Sequence, residues 1–84
     1  MNYQLSEHAR EILVRRNISV EWLEFVLSSP ESILQDRIDP DLEHRLATIA
    51  ECENRVLRVI INPQVEPPRV VTAFFDRRIS RNEA

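Results

Sequence analysis

Apolar residues recur first with a helical period and then, past Pro30, with a period close to two. Ala9, Ile12 and Leu13 stand at i, i+3 and i+4, which lines one face of a helix. Ser6 occupies the N-cap position, Glu7 and Glu11 lie near the first turns where acids complement the dipole, and Arg15, Arg16 and Asn17 close the far end. Asn17 tolerates the left-handed conformation of a helix stop, after which Ile18 packs back. A helix is therefore predicted to run to about Arg16. Ser19 caps a second, with the stripe Val20, Leu23, Val26 and Leu27 broadened by Trp22 and Phe25 and ended by Pro30. Tyr3 to Leu5 reads as a short strand before the first helix.

Residues 32–37, 42–51, 55–62 and 69–76 are predicted strands, separated by Asp39-Pro40-Asp41, Cys52-Glu53-Asn54 and the proline-rich stretch 63–68. Alternation puts Leu57, Val59 and Ile61 on one face of the third of these and Val56, Arg58 and Ile60 on the other. In the last, Val71, Ala73 and Phe75 oppose Val70, Thr72 and Phe74. Both strands are apolar enough on both faces for central positions. Helices followed by a meander predict an α+β fold: two N-terminal helices packed on one face of a mainly antiparallel sheet of about four strands. The expected core is Leu13, Leu23, Val26, Leu27, Leu57, Val59, Ile61, Val71 and Phe75.

A length of 84 residues supports one core, so residues 1–84 are expected to form a single domain. The lone Cys52 excludes an intrachain disulfide and a cysteine-rich zinc cluster. The chain has no glycine, which removes the phosphate loops of nucleotide-cofactor enzymes and leaves Asn, Asp, Ser or Pro for every tight turn. A polar N-terminal stretch and the lack of any long apolar run lead us to expect no membrane segment and a cytoplasmic address. The net charge of −3 counts against indiscriminate binding of polyanions, but it hides an asymmetry. Residues 1–54 carry five Arg against eleven acids, whereas residues 55–84 carry six Arg against three. All eleven cations are arginine, the residue that grips phosphate or carboxylate bidentately. Apolar residues on both faces of two strands leave surface for a partner protein or a homodimer to cover.

Chemistry is most legible at a few positions. His8 and Arg15 are two helical turns apart on nearly one face, with Arg16 close by; a histidine held neutral by neighbouring cations can act as a general base, or can be a solvated surface residue. His44 and Arg45 share a strand. Arg58 interrupts an apolar strand, so its guanidinium must either pair with a carboxylate such as Glu43 or Glu51 or face a groove open to an anion. Asp76, Arg77, Arg78 and Arg81 end the last strand in a cationic segment suited to RNA phosphates or to solvent. Two histidines without further ligands in register give no metal set, and no cofactor is expected.

Several segments together carry a resemblance: His8-Ala9-Arg10, Arg16-Asn17-Ile18-Ser19 at the helix junction, Leu27-Ser28-Ser29-Pro30-Glu31, Arg55-Val56-Leu57-Arg58-Val59, and Val70-Val71-Thr72-Ala73-Phe74-Phe75-Asp76. They span most of the chain and resemble the family called domain of unknown function 4258, in particular its cyanobacterial members. That family is grouped with the RelE/ParE-like toxin superfamily and is similar to BrnT-type toxins. The resemblance implies a toxin of a type II toxin-antitoxin system: a metal-independent endoribonuclease acting on mRNA, with an antitoxin protein as partner and mRNA or the ribosome as target. Carried over, it implies catalytic roles for His8, Arg16, His44 and Arg58 and RNA-binding roles for Arg15, Arg45, Arg77 and Arg78. The functional surface is then expected to join His8 and Arg16 to Arg58, with His44 and the segment from Asp76 at its margin. The alternative is a non-catalytic protein-interaction module on a toxin-like fold.

Overall fold

The computed structural model describes residues 2–79, so Arg81 lies outside the described residues. Two helices, α1 (Glu7–Arg15) and α2 (Val20–Ser28), follow a two-residue strand β1 (Gln4–Leu5) and precede β2 (Ser32–Gln35), β3 (Glu43–Ile49), β4 (Arg55–Asn62) and β5 (Arg69–Phe75). Ser6 Oγ accepts the Ala9 N–H and Ser19 Oγ accepts the Trp22 N–H, so each helix begins on the cap its sequence supplies. The end of α1 is a Schellman turn. Asn17 adopts φ 57°, its N–H donates to Val14 O, and the Ile18 N–H donates to Leu13 O. Ile18 is thereby buried.

The sheet has five strands in the order β1-β5-β4-β3-β2. It is mixed, because β1 runs parallel to β5 while the other pairs are antiparallel. This corrects the expected antiparallel sheet of about four strands. Gln4 and Leu5 form the short strand expected at Tyr3 to Leu5, and the Gln4 N–H donates to Pro68 O and the Ser6 N–H to Val70 O. Those bonds set β1 on the outer side of β5.

One core lies between the helices and a single sheet face. Ala9 and Leu13 of α1 and Leu23, Val26 and Leu27 of α2 pack with Ala47, Ile49, Leu57, Val59, Ile61, Val70 and Ala73. Each larger aliphatic side chain so buried contributes about 1.5–3 kcal/mol of hydrophobic stabilisation. Val71 is not in this core, contrary to expectation. A register shift opposite Ile60/Ile61 pairs Ile61 with Val70 and leaves Val71 out of the ladder, so the face changes hands between Val70 and Ala73. Phe75 is half-buried against the cluster. Val20 and Phe25 are about half exposed, because a helix covering one sheet face buries a narrower stripe than the sequence offers.

β2 is shorter than predicted and exposed along its length, as befits a sheet edge. The β3–β4 connection holds Glu53 at φ 58° and Asn54 at φ 60°. A glycine-free chain has thus placed a glutamate, outside the expected turn residues, in a conformation that costs about 1–2 kcal/mol for a residue with a Cβ.

Candidate functional site

With both helices on one side, the other sheet face carries His44 and Arg58 beside the buried Leu46 and Val56. Register decides which residues meet there. β3 and β4 pair Leu46 with Arg58 and His44 with Ile60, and β4 and β5 pair Arg58 with Phe74. His44 and Arg58 are therefore diagonal neighbours on one face, within reach of long side chains. Asp76 lies two residues past Phe74 and is tied to β4 by its own N–H, which donates to Val56 O at 2.9 Å.

These positions form a line of polar side chains across four strands. Asp36, just after β2, accepts from His44 Nε2 at 2.7 Å. Arg58 Nη1 donates to His44 Nδ1 at 2.7 Å. On its other side Arg58 places Nε 2.9 Å and Nη2 2.8 Å from Asp76 Oδ2. Arginine has no acceptor, so His44 Nδ1 must carry the lone pair and Nε2 the proton. The ring is thus fixed as the Nε2–H tautomer by the groups on either side.

Burial is graded along the line. The Asp76 side chain is 2% exposed and that of Arg58 11%, while His44 and Asp36 stand at 17% and 21%. Arg78 closes the network from solvent, with its backbone N–H and Nε on Asp76 Oδ1. The Asp76 carboxyl is held far below the usual carboxylate range, first by the Arg78 guanidinium, then by the Arg78 N–H and Arg58, all acting against desolvation. Asp36 is lowered to about 2 by the Asp39 N–H first, then by His44 and the Ile38 N–H. The line forms the floor of a cleft of about 540 Å³ whose walls include Leu34, Arg37, Ile38 and Ile79.

The residues singled out in the sequence are distributed over several places. His44, Arg58 and Arg78 come together. Arg45 points the other way, under the helices: its Nε pairs with Glu43 at 2.7 Å and its Nη1 donates to Leu27 O at 3.0 Å. It thereby supplies the cation that the last turn of α2 lacks. His8 sits over β5 with Nε2 3.3 Å from Thr72 Oγ1. Arg15 is exposed at the end of α1. Arg16 and Arg77 line a separate cavity with Arg55. No hydrogen bond or ion pair among the described residues joins His8 or Arg16 to Arg58.

The partner of Arg58 is Asp76, not Glu43 or Glu51. Face parity could have found it, since Phe74 stands opposite Arg58 and Asp76 is the next residue of that parity. Asp36 was missed altogether. Its only signal is an aspartate two and three residues ahead of Ile38 and Asp39, whose N–H groups its Oδ2 accepts. No three His, Cys, Asp or Glu side chains gather as a metal-ligand set among the described residues. No described helix is long and apolar enough to cross a membrane.

Fold and site define an α+β domain with two helices on one face of a five-stranded mixed sheet and a histidine–arginine pair, flanked by carboxylates, on the other. The chain belongs to the family described as domain of unknown function (DUF4258), which matches residues 5–75. No curated protein and no solved structure gave a significant match.

Proposed function

We propose that this chain is a RelE/ParE-like toxin of a type II toxin-antitoxin system, a metal-independent endoribonuclease whose centre is Asp36, His44 and Arg58. The observation that carries the reading is the Asp36–His44–Arg58 alignment. A carboxylate on Nε2–H fixes the tautomer that leaves the lone pair on Nδ1, which is what a general base requires. Only Arg58 Nη1 occupies that lone pair, and a guanidinium is itself the group that stabilises a phosphoryl oxyanion.

When a phosphodiester enters the cleft, Nη1 turns to a phosphate oxygen and Nδ1 is released. Nδ1 then takes the ribose 2′-OH proton, the 2′-oxygen bonds to its own phosphorus, and the bond to the 5′-oxygen breaks. The leaving oxygen takes a proton from the imidazolium. A 2′,3′-cyclic phosphate and a 5′-hydroxyl result, with no metal in the step. Arg78 and Arg37 at the rim supply further cations. An antitoxin would act by covering this face.

Purified protein should cleave single-stranded RNA in the presence of EDTA, and His44→Ala should abolish cleavage and any growth arrest on expression. Intact RNA with the wild-type protein would overturn the proposal. A second reading, a non-catalytic interaction module, draws on a different observation: Arg58 and Arg78 already have carboxylate partners. It expects a protein complex without turnover.

A further inference from the structure

A second cationic cavity lies at the end of the sheet where α1 meets α2. Arg16 at the C-cap of α1, Arg55 at the start of β4 and Arg77 just past β5 converge on about 570 Å³ of open space, with Asn17, Trp22 and Phe75 among its walls. That volume falls in the roughly 300–1,000 Å³ range of small-molecule sites. No Asp or Glu among the described residues lines it. In the sheet-face cleft Arg58 and Arg78 are paired with Asp76, whereas Arg16, Arg55 and Arg77 form no ion pair with any described residue. Arg55 donates to Cys52 O and lies 4.4 Å over the Phe75 ring, and Trp22 meets that ring edge-on at 6.2 Å. Three guanidinium groups thus share a cavity with an aromatic wall.

We propose that this cavity binds single-stranded nucleic acid, with backbone phosphates on Arg16, Arg55 and Arg77 and a base against Trp22 and the Arg55 guanidinium where it covers Phe75. Arginine with aromatic faces is the combination that single strands require, since phosphates need charge and unstacked bases need a π surface. An acidic peptide would use the guanidinium groups and leave the aromatic wall without a role. The cavity shares Arg55, Phe75 and Arg77 with a neighbour of about 440 Å³, which in turn shares Asp76 and Ile79 with the sheet-face cleft. The three cavities are therefore neighbours around one end of the sheet. The inference shares with the proposed function only the choice of nucleic acid as ligand, and its test requires no turnover.

Trp22, the only tryptophan, reports on the cavity. A short single-stranded oligodeoxyribonucleotide, lacking the 2′-OH, should quench its fluorescence, and log Kd against log salt should have a slope of about 2, from three phosphates at roughly 0.7 each. Arg16→Gln or Arg77→Gln should weaken binding about tenfold and lower that slope by about 0.7, while Arg10→Gln on α1 leaves both unchanged. Both cavity variants should keep the wild-type circular dichroism and melting curve. An abasic oligomer should bind more weakly. Binding insensitive to Arg16 and Arg77, equal binding of the abasic oligomer, or preference for polyglutamate would each overturn the proposal. Because the oligomer cannot be cleaved through a 2′-oxygen, inactivity of His44 leaves this result untouched.

Discussion

Arg58→Ala tests the sheet-face network most directly, because it removes one side chain from the middle of the line. Asp76 Oδ2 then loses Nε at 2.9 Å and Nη2 at 2.8 Å, and His44 Nδ1 loses its donor. Breaking a buried ion pair from one side costs about 3–5 kcal/mol, because the other charge is left desolvated. Asp76 keeps Arg78, so the low end, about 3 kcal/mol, is expected. In a domain of this length that lowers the melting temperature by about 12–24 °C. Arg78→Ala is the control. Arg78 contributes most to lowering the Asp76 pKa, but its side chain is 80% exposed, and water and salt screen it. Its loss should be far smaller than that of Arg58. Urea unfolding of the wild type and both variants at neutral pH measures this ordering. An Arg58→Ala cost below about 1 kcal/mol, the range of surface pairs, or a larger cost for Arg78→Ala, would refute the assignment of Asp76 and Arg58 as a buried pair.

Acid should expose the two lowered carboxyls. Their contribution is complete above the unfolded value near 4 and is lost as pH falls through the folded value, about 2 for Asp36 and lower for Asp76, so a urea midpoint that stays flat from pH 4 to 2 would contradict the network. At the alkaline end Tyr3, raised to about 12 by burial first and then by its hydrogen bond to Glu24, contributes fully below pH 10.0 and loses that contribution through about 12; Tyr3→Phe should flatten this limb in a pH titration of stability. Ser19→Ala removes the cap on the Trp22 N–H and should cost about 1 kcal/mol in thermal unfolding; no change would show the cap to be idle. Light scattering should find the wild type self-associated through the exposed edge β2, and Ile33→Lys should return it to a monomer; a wild-type monomer at high concentration would refute the edge as an interface.

Helix starts and stops were legible because each has a local cause. Ser6, Ser19, Asn17 and Pro30 act on their own neighbours, and the structure uses them as caps and stops. The exchange of Val70 for Val71 was not legible, because a register shift depends on the partner strand. Arg45 shows the same limit in chemistry. Adjacent to His44 in sequence, it projects to the opposite face and caps α2. The pairing of His44 with Arg58 needed the β3–β4 register, which neither residue's surroundings specify. Glu53 in a left-handed turn runs against its own preference, so no local rule could have put it there.

The two arginine groups divide what an anion site must do. In the sheet-face cleft Asp36 and Asp76 offset two of the three arginines, Arg37, Arg58 and Arg78, so that cleft adds less attraction at a distance than a cavity without acids. The attraction comes from Arg16, Arg55 and Arg77, which have no acid partner among the described residues. Within the cleft the bonds of Arg58 are unequal. Those to Asp76 join two opposite charges at a buried carboxylate and resist exchange. The bond to His44 has a charged donor but a neutral acceptor and lacks the second charge, so it is the weaker of the two and the one a phosphate displaces. Asp76 Oδ2 meanwhile keeps both Nε and Nη2 and serves as the pivot on which the guanidinium turns. On the proposed mechanism one exchange therefore has two effects: Nη1 moves onto the phosphate, and Nδ1 is released beside the hydroxyl it must deprotonate. The base is unmasked only when the substrate is present to use it.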